Sequence, residues 1–514
     1  MGSCFAESVT ELVTLNIGIE YSVSLELSYS TAHGDHKVLN FLNQTNRADY
    51  SFDRRAALRI GGMAGLNWAL PGLVPPRAHA AVRSPVPGFG RAKSVIVVFA
   101  SGGQSQIDTW DPKPEAPKEI RGAFDTIETA INGVRFSQHM PLTAGIADKL
   151  CVVRNMAHED LDHGSAFYLA NTGRYHRRRS ANPLPTADDY PSIGAVLQRI
   201  RPAVDSVQTA IHLNGPAEVP NIVAAGQFGG FLGAGYDALT LGDVTRAKIP
   251  IPSLRAHADL PAVRMKARQS LLKSVEDSAK NFEQAQLALE KDELYLRAFE
   301  MLSRPETRSA FDLSAEPSKL RNRYGRNRSG QACLLARRLV EAEVPFINVI
   351  WNHNNRGQDQ DAANEDYWGW DTHNDIFDGL QNHLLPRFDQ SFTALIEDLD
   401  DRGLLDETLV VCMGEFGRAP LVALEKNFAG ASPGRKHWSW VYSIAMAGAG
   451  VAGGTVVGAS DRRGAYPTTE PYGPWDVMAT IFSALGIDPH QEYRDHLNRP
   501  FRACEGRVMS AVYG

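Results

Sequence analysis

Short runs of apolar, mostly β-branched residues recur along this chain, and segments with helical spacing separate them. Residues 94–100 read SVIVVFA and end at Gly102-Gly103; 150–154 read LCVVR, 345–351 read PFINVIW, 408–413 read TLVVCM, and 441–446 read VYSIAM. Residues 210–213 and 221–224 are weaker candidates. A strand with no polar alternation has both faces buried, and helices between such strands supply the cover. The pattern therefore predicts a three-layer α/β/α sandwich around a mostly parallel sheet. Residues 329–343 form an amphipathic helix leading into the 345 strand, and 375–403 form another that ends at Arg402-Gly403. Residues 474–486 open with Pro474 and close with Gly486, a sound helical frame. The Ala/Glu/Lys/Leu-rich stretch 262–303 predicts a long helix or helical hairpin, inserted between the halves of the sheet. No internal repeat is visible.

The 514 residues are 43% hydrophobic and 22% charged, enough for a packed core. A net charge of −6 gives no general attraction to nucleic acid or to an anionic membrane. The five cysteines, Cys4, Cys151, Cys333, Cys412 and Cys504, are scattered with no CxxC pair. That spacing argues against a disulfide framework and a cysteine zinc site. Cys151 and Cys412 fall inside strand runs and are expected to act as small buried hydrophobes.

Residues 53–81 have the order of an export signal: Arg54-Arg55, a mildly apolar stretch over 60–74, then Ala78-His79-Ala80. The arginine pair and weak hydrophobicity resemble a twin-arginine signal, so the export machinery is an expected partner and the periplasm or exterior the expected location. The apolar stretch is too short and broken for stable membrane insertion. Residues 1–52 precede this signal and are expected to be a non-native or disordered leader. Residues 82–91 are a linker, 92–490 the main domain and 491–514 a C-terminal tail.

Ligands of open parallel sheets bind at the carboxyl ends of the strands. Asp108 and Asp111 follow the first strand; His158, Asp162, His163 and Ser165 follow the second; Asn352, His353, Asp371 and His373 follow the 345 strand; Glu415 and Arg418 follow the 408 strand. Arg435, Lys436 and His437 precede the 441 strand. Any single such residue is readily a helix cap or a solvated loop charge. Five junctions with converging carboxylates require positive charge among them. Carboxylate mixed with imidazole suits Zn²⁺, Mn²⁺ or Fe, with Mg²⁺ or Ca²⁺ favoured where imidazole is sparse. The competing reading is a hydrogen-bonded charged cleft without an ion.

Several motifs occur in order: Ser101-Gly-Gly-Gln-Ser-Gln-Ile-Asp108-Thr-Trp-Asp-Pro, Asp162-His-Gly-Ser, Gly173-Arg174, Phe231-Leu-Gly-Ala, Gly369-Trp-Asp-Thr-His373, Gly414-Glu-Phe-Gly-Arg418 and Lys436-His-Trp438. With them, the chain resembles the bacterial family called domain of unknown function 1501, from about residue 54 to 490. That family is placed in the alkaline phosphatase-like superfamily, with sulfatases and cofactor-independent phosphoglycerate mutases. The resemblance implies that Asp108, Asp371, His373, Glu415 and His437 hold one or two divalent metal ions. It further implies transfer of a phosphoryl or sulfuryl group from an ester substrate.

Two departures stand out. The position of the expected nucleophile falls on His163, and the nearby hydroxyl is Ser165. Ser165 has taken that role, or His163 acts as ligand, base or nucleophile, or the covalent step is lost. Phe416 stands where relatives place a His or Asn ligand, so one ion in place of two is expected. A Cys or Ser followed by x-Pro-x-Arg is absent, which argues against formylglycine chemistry.

Backbone N–H groups at His163-Gly-Ser165 are candidates for holding an anion at a helix start. Arg174, Arg418 and Lys436 are candidate substrate-binding cations, with structural salt bridges as the alternative. The run 176–179 and the acidic loop 359–366 read as solvated surface, and His158 and His353 as supporting residues. Trp368, Trp370, Trp438 and Trp440 either wall a sugar site or pack. The expected function is an exported metal-dependent hydrolase of phosphate or sulfate esters on a small molecule or carbohydrate. The alternatives are a non-catalytic binding or scaffold protein, and a metal-dependent polysaccharide-processing protein.

Overall fold

A computed structural model describes residues 10–17, 21–28, 86–202, 209–246, 249, 309–352 and 368–514. The insertion expected at 262–303, the signal at 53–81, the loop 359–366 and His353 lie outside the described residues. The chain divides into two compact units, 1–84 and 85–514. In the first, Thr10–Ile17 pairs antiparallel with Tyr21–Ser28.

The second unit is built on an eight-stranded sheet. In chain order its strands are β1 (Ser94–Phe99), β2 (Cys151–Met156), β3 (Ala210–Leu213), β4 (Leu239–Leu241), β5 (Phe346–Ile350), β6 (Thr408–Met413), β7 (Tyr442–Ala447) and β8 (Thr455–Val457). Their spatial order is β8-β2-β7-β6-β1-β5-β3-β4. All run in one direction except β7, which is antiparallel to both β6 and β2. The start of β7 therefore lies beside the carboxyl ends of its neighbours, and residues that precede it reach the same edge as residues that follow the others.

Helices cover both faces. Along β1, Ile96 and Val98 pack on one side with α3 (Arg328–Glu341) and α4 (Leu385–Asp401), through Leu334, Leu339, Phe388 and Leu395. Val95, Val97 and Phe99 pack on the other with α1 (His163–Thr172), α2 (Ile193–Ile200) and α5 (Pro474–Ala484), through Phe167, Val196 and Ile481. The alternation follows from the two-residue period of a strand. This is the predicted three-layer sandwich. Phe99 and Phe167 meet edge to face at 5.0 Å and seat α1 on the central strand.

Some local expectations change. Residues 221–224 form no strand; Val223 makes only an isolated bridge with Glu218. The short edge strands β4 and β8 went unpredicted, since three residues carry no readable period. The 375–403 segment is interrupted: Ile376–Gly379, a π-helical turn over Leu380–Leu384, then α4. Pro386 in the first turn of α4 has no N–H to donate, which breaks the regular ladder there. Residues 491–514 pack onto the domain, with Tyr493, Met509 and Val512 buried in the α1/α2/α5 core. Cys151, Cys333, Cys412 and Cys504 are free and buried. No described helix is long and apolar enough to cross a membrane.

Candidate metal centre

Four side chains meet at the carboxyl edge of the sheet: His163, Asp371, His373 and His437, whose donor atoms all lie within 4.8 Å of one another. His163 is the first residue of α1, just after its N-cap Asp162. Asp371 and His373 follow β5 and are tied to the end of β1, where Trp370 N donates to Ser101 O at 3.1 Å. His437 arrives by a two-stranded ribbon in which Gly417–Arg418 pairs with His437–Trp438, Arg418 opposite His437. The turn after β1 needs Gly102 and Gly103, both at positive φ; a Cβ on Gly103 would come 2.7 Å from the Phe416 ring.

The three imidazoles have matched orientations. His163 Nδ1 lies 2.6 Å from Glu415 Oε1, His373 Nδ1 lies 3.2 Å from Glu425 Oε2, and His437 Nδ1 lies 2.7 Å from Leu161 O. Each outer atom is an acceptor, so each ring donates from Nδ1 and, when neutral, turns an Nε2 lone pair inward. Asp371 Oδ1 stands among them, 3.1 Å from His163 Nε2, 3.0 Å from His373 Nε2 and 3.4 Å from His437 Nε2. His373 Nε2 and His437 Nε2 are 2.8 Å apart. Two lone pairs at that distance repel unless a cation shares them. His163 Nε2 is buried without a well-formed hydrogen bond. Three inward imidazole nitrogens and one carboxylate oxygen, each ring fixed from outside, are the donor set of a transition-metal site. The residues therefore fit an ion.

Protonation in the metal-free chain points the same way. Burial opposes a charge on His163, but Asp371 and Glu415 outweigh it and hold the imidazole up at about 9. Burial also opposes the charge of Asp371, yet His163 and Arg418 keep it well below the usual carboxylate range. Burial, reinforced by the His163 cation, pushes His437 down to about 3. A proton on His163 thus stands where the ion's charge would be.

The other expected site residues are placed differently. Glu415 is fully buried; its Oε1 accepts from His163 Nδ1 and from Gly102 N at 2.8 Å, behind the donors and not among them. Asp108 is paired with Arg435, Oδ2 to Nε at 2.7 Å and Oδ1 to Nη2 at 3.1 Å, and accepts from Ser105 Oγ. That pairing takes both of its oxygens away from the cluster. Ser165 is buried, donates to Asp160 Oδ1 at 2.7 Å and accepts from Ala181 N at 3.1 Å, so its hydroxyl is committed. Two N–H groups at the helix start are also occupied, since Gly164 N donates to Asn182 Oδ1 and Ser165 N to Ala181 O.

Arg174 turns toward the C-terminal segment, on Arg502 O and Glu505, and stacks on Tyr190. Arg418 reaches the site but is fully buried, held by Gly102 O, Gly103 O, Arg435 O and Asp371 Oδ1. Lys436 is exposed, 3.5 Å from Glu425. Trp368 and Trp370 are buried in the core, while Trp438 stands against Tyr466. His158 is buried and bonded to Glu415 O, and burial pushes it down to about 4. The pairing of Arg435 with Asp108 and the presence of Glu425 behind His373 have no counterpart among the sequence expectations. Nothing in the sequence separates them from loop charges, although Arg435 lies two residues from His437.

Among solved structures, the chain is similar to the phosphonate monoester hydrolase SpPMH from Silicibacter pomeroyi, at 13% identity over 82% of this chain and 77% of that one, TM-score 0.37. It is also similar to the PsFucS1 sulfatase from Pseudoalteromonas sp., at 13% identity over 85% and 72%, TM-score 0.34. The alkaline phosphatase of the Antarctic bacterium TAB5 matches at 12% identity over 77% and 98%, TM-score 0.32. No curated protein sequence matches the chain. The family model described as "Protein of unknown function (DUF1501)" matches residues 92–513, a stretch that contains the whole sheet and all four converging donors, and the chain belongs to that family.

Proposed function

We propose that this chain is a metal-dependent hydrolase of phosphate or sulfate esters that works outside the cytoplasm. The observation that carries this reading is the convergence of three outward-anchored imidazoles and Asp371 on one point. A divalent ion bound there supplies Lewis acidity and neutralises charge that develops on the transferred group. His163, His373, His437 and Asp371 would hold it; Glu415, Glu425 and Leu161 O fix the ring orientations. Three imidazoles favour Zn²⁺, Mn²⁺ or Fe²⁺ over Mg²⁺ or Ca²⁺. Four protein donors already fill a tetrahedral shell, so an ion of higher coordination number, such as Mn²⁺, keeps room for substrate. Arg418 holds Asp371 and is too enclosed to clamp a substrate.

Metal analysis of residues 82–514, with turnover measured on aryl phosphate, phosphodiester, phosphonate and sulfate esters, tests the reading. Bound metal with hydrolysis of one ester class supports it. Absence of metal, and of turnover in any added metal, defeats it. The second reading, a binding or scaffold protein, is favoured by the committed Ser165 hydroxyl and the occupied N–H groups of Gly164 and Ser165; stoichiometric metal without turnover would select it. Export by the twin-arginine route rests on Arg54-Arg55 and the stretch that follows. A reporter fused after residue 81 should reach the periplasm, and Arg54→Lys with Arg55→Lys should retain it in the cytoplasm.

A further inference from the structure

A phosphate monoester carries close to two negative charges at neutral pH, whereas a diester or a sulfate monoester carries one. Sites that bind the dianion supply several cations or free N–H donors, often a pair of metal ions. The described residues here offer one four-donor set and little else. Arg418 spends its guanidinium on three carbonyls and Asp371. Arg435 spends its own on Asp108, Ile120 O and Pro420 O. The N–H groups of Gly164 and Ser165 in the first turn of α1 are taken by Asn182 and Ala181.

Charge gives the same answer. With an ion in place, His163 must present its Nε2 lone pair and is neutral. Among the described residues the ion, Arg418 and Lys436 then carry four positive charges, against three negative from Asp371, Glu415 and Glu425, which leaves one. From this balance we infer that the site selects singly charged esters, namely sulfate monoesters, phosphodiesters or phosphonate monoesters, over phosphate monoester dianions. This deepens the hydrolase reading and rests on it.

The test is equilibrium binding to the Mn²⁺-loaded chain, its metal content measured first, so that failure to hold metal is separated from failure of the selectivity. The probes are phenylphosphonate, at a pH where it is fully ionised, and its monomethyl ester. The monomethyl ester is expected to bind more tightly than the dianion. Glu425→Gln keeps an acceptor for His373 and removes one negative charge. It should improve dianion binding by about tenfold and monoanion binding by less. Equal binding of the two probes or a dianion preference in the unmodified chain, or no binding of either probe to metal-replete protein, would overturn the inference.

Discussion

Two charge clusters in this domain, each with a buried arginine at its centre, look alike in outline and differ in what completes them. Beneath α3 and α4, Arg337, Arg338 and Arg402 meet Glu316, Glu341 and Asp398, with Tyr324 Oη donating to Asp398 at 2.9 Å. Every cation there is a guanidinium that never releases its proton, and the charges cancel within the cluster. At the sheet edge, Asp371, Glu415 and Glu425 face Arg418, Lys436 and a proton held on His163. The second balance depends on a cation that can be exchanged. Fixed partners mark a cluster that holds helices together; an exchangeable one marks a cluster that can bind.

That contrast can be broken most directly by removing one member of each. His373→Ala or Asp371→Asn should lower metal affinity more than ~100-fold while the fold survives, read by metal titration and circular dichroism. Arg337→Ala should leave affinity unchanged and cost about 3–5 kcal/mol in denaturant unfolding, because buried carboxylates lose their partner. Loss of metal in the arginine variant would erase the distinction. Glu415→Gln touches no donor atom and loosens the ring of His163; it should retain metal stoichiometry with affinity lower by ~10–100-fold.

Acidity sharpens the comparison further. The His163 pKa is raised on folding, so its contribution to the metal-free fold is complete below about 6.5 and is lost as pH rises through about 9. Over the same window, metal affinity should climb by about tenfold per pH unit as the competing proton leaves. His437, pushed down to about 3, acts in the opposite sense and destabilises the fold as pH falls below about 6.5. A flat affinity profile from pH 6.5 to 9 would show that His163 is not a ligand. The smallest effect belongs to Arg174→Ala, which should cost no more than ~1 kcal/mol and change neither metal nor ligand binding.

The sheet was readable because its strands are continuous apolar runs such as 94–99 and 408–413, buried on both faces and flanked by amphipathic helices. The gathering of Asp371, His373 and His437 was legible from their places beside strand ends, and the resemblance put them in one list. What stayed hidden depended on pairing. Nothing local distinguishes Asp108, which has found Arg435 327 residues away, from Asp371, which faces three imidazoles. Ser165 looked available until its hydroxyl met Asp160 and the chain at Ala181. One signal was present and went unused. His437 precedes its strand where every other candidate follows one, and only an antiparallel strand brings such a residue to the shared edge.

The reversed strand also sets an order in time. Donors come from the start of α1, from the segment after β5 and from the ribbon just before β7, and β7 is inserted between β6 and β2. A chain growing from its N-terminus holds one donor until residue 371 and the full set only after residue 437 has been made and drawn into the sheet. Partly made chains can offer three of the four groups at most, and without His437 the set stays open. Tight metal retention would therefore report that the last central strand has docked, making the ion a late lock on a finished domain and not a seed around which it folds.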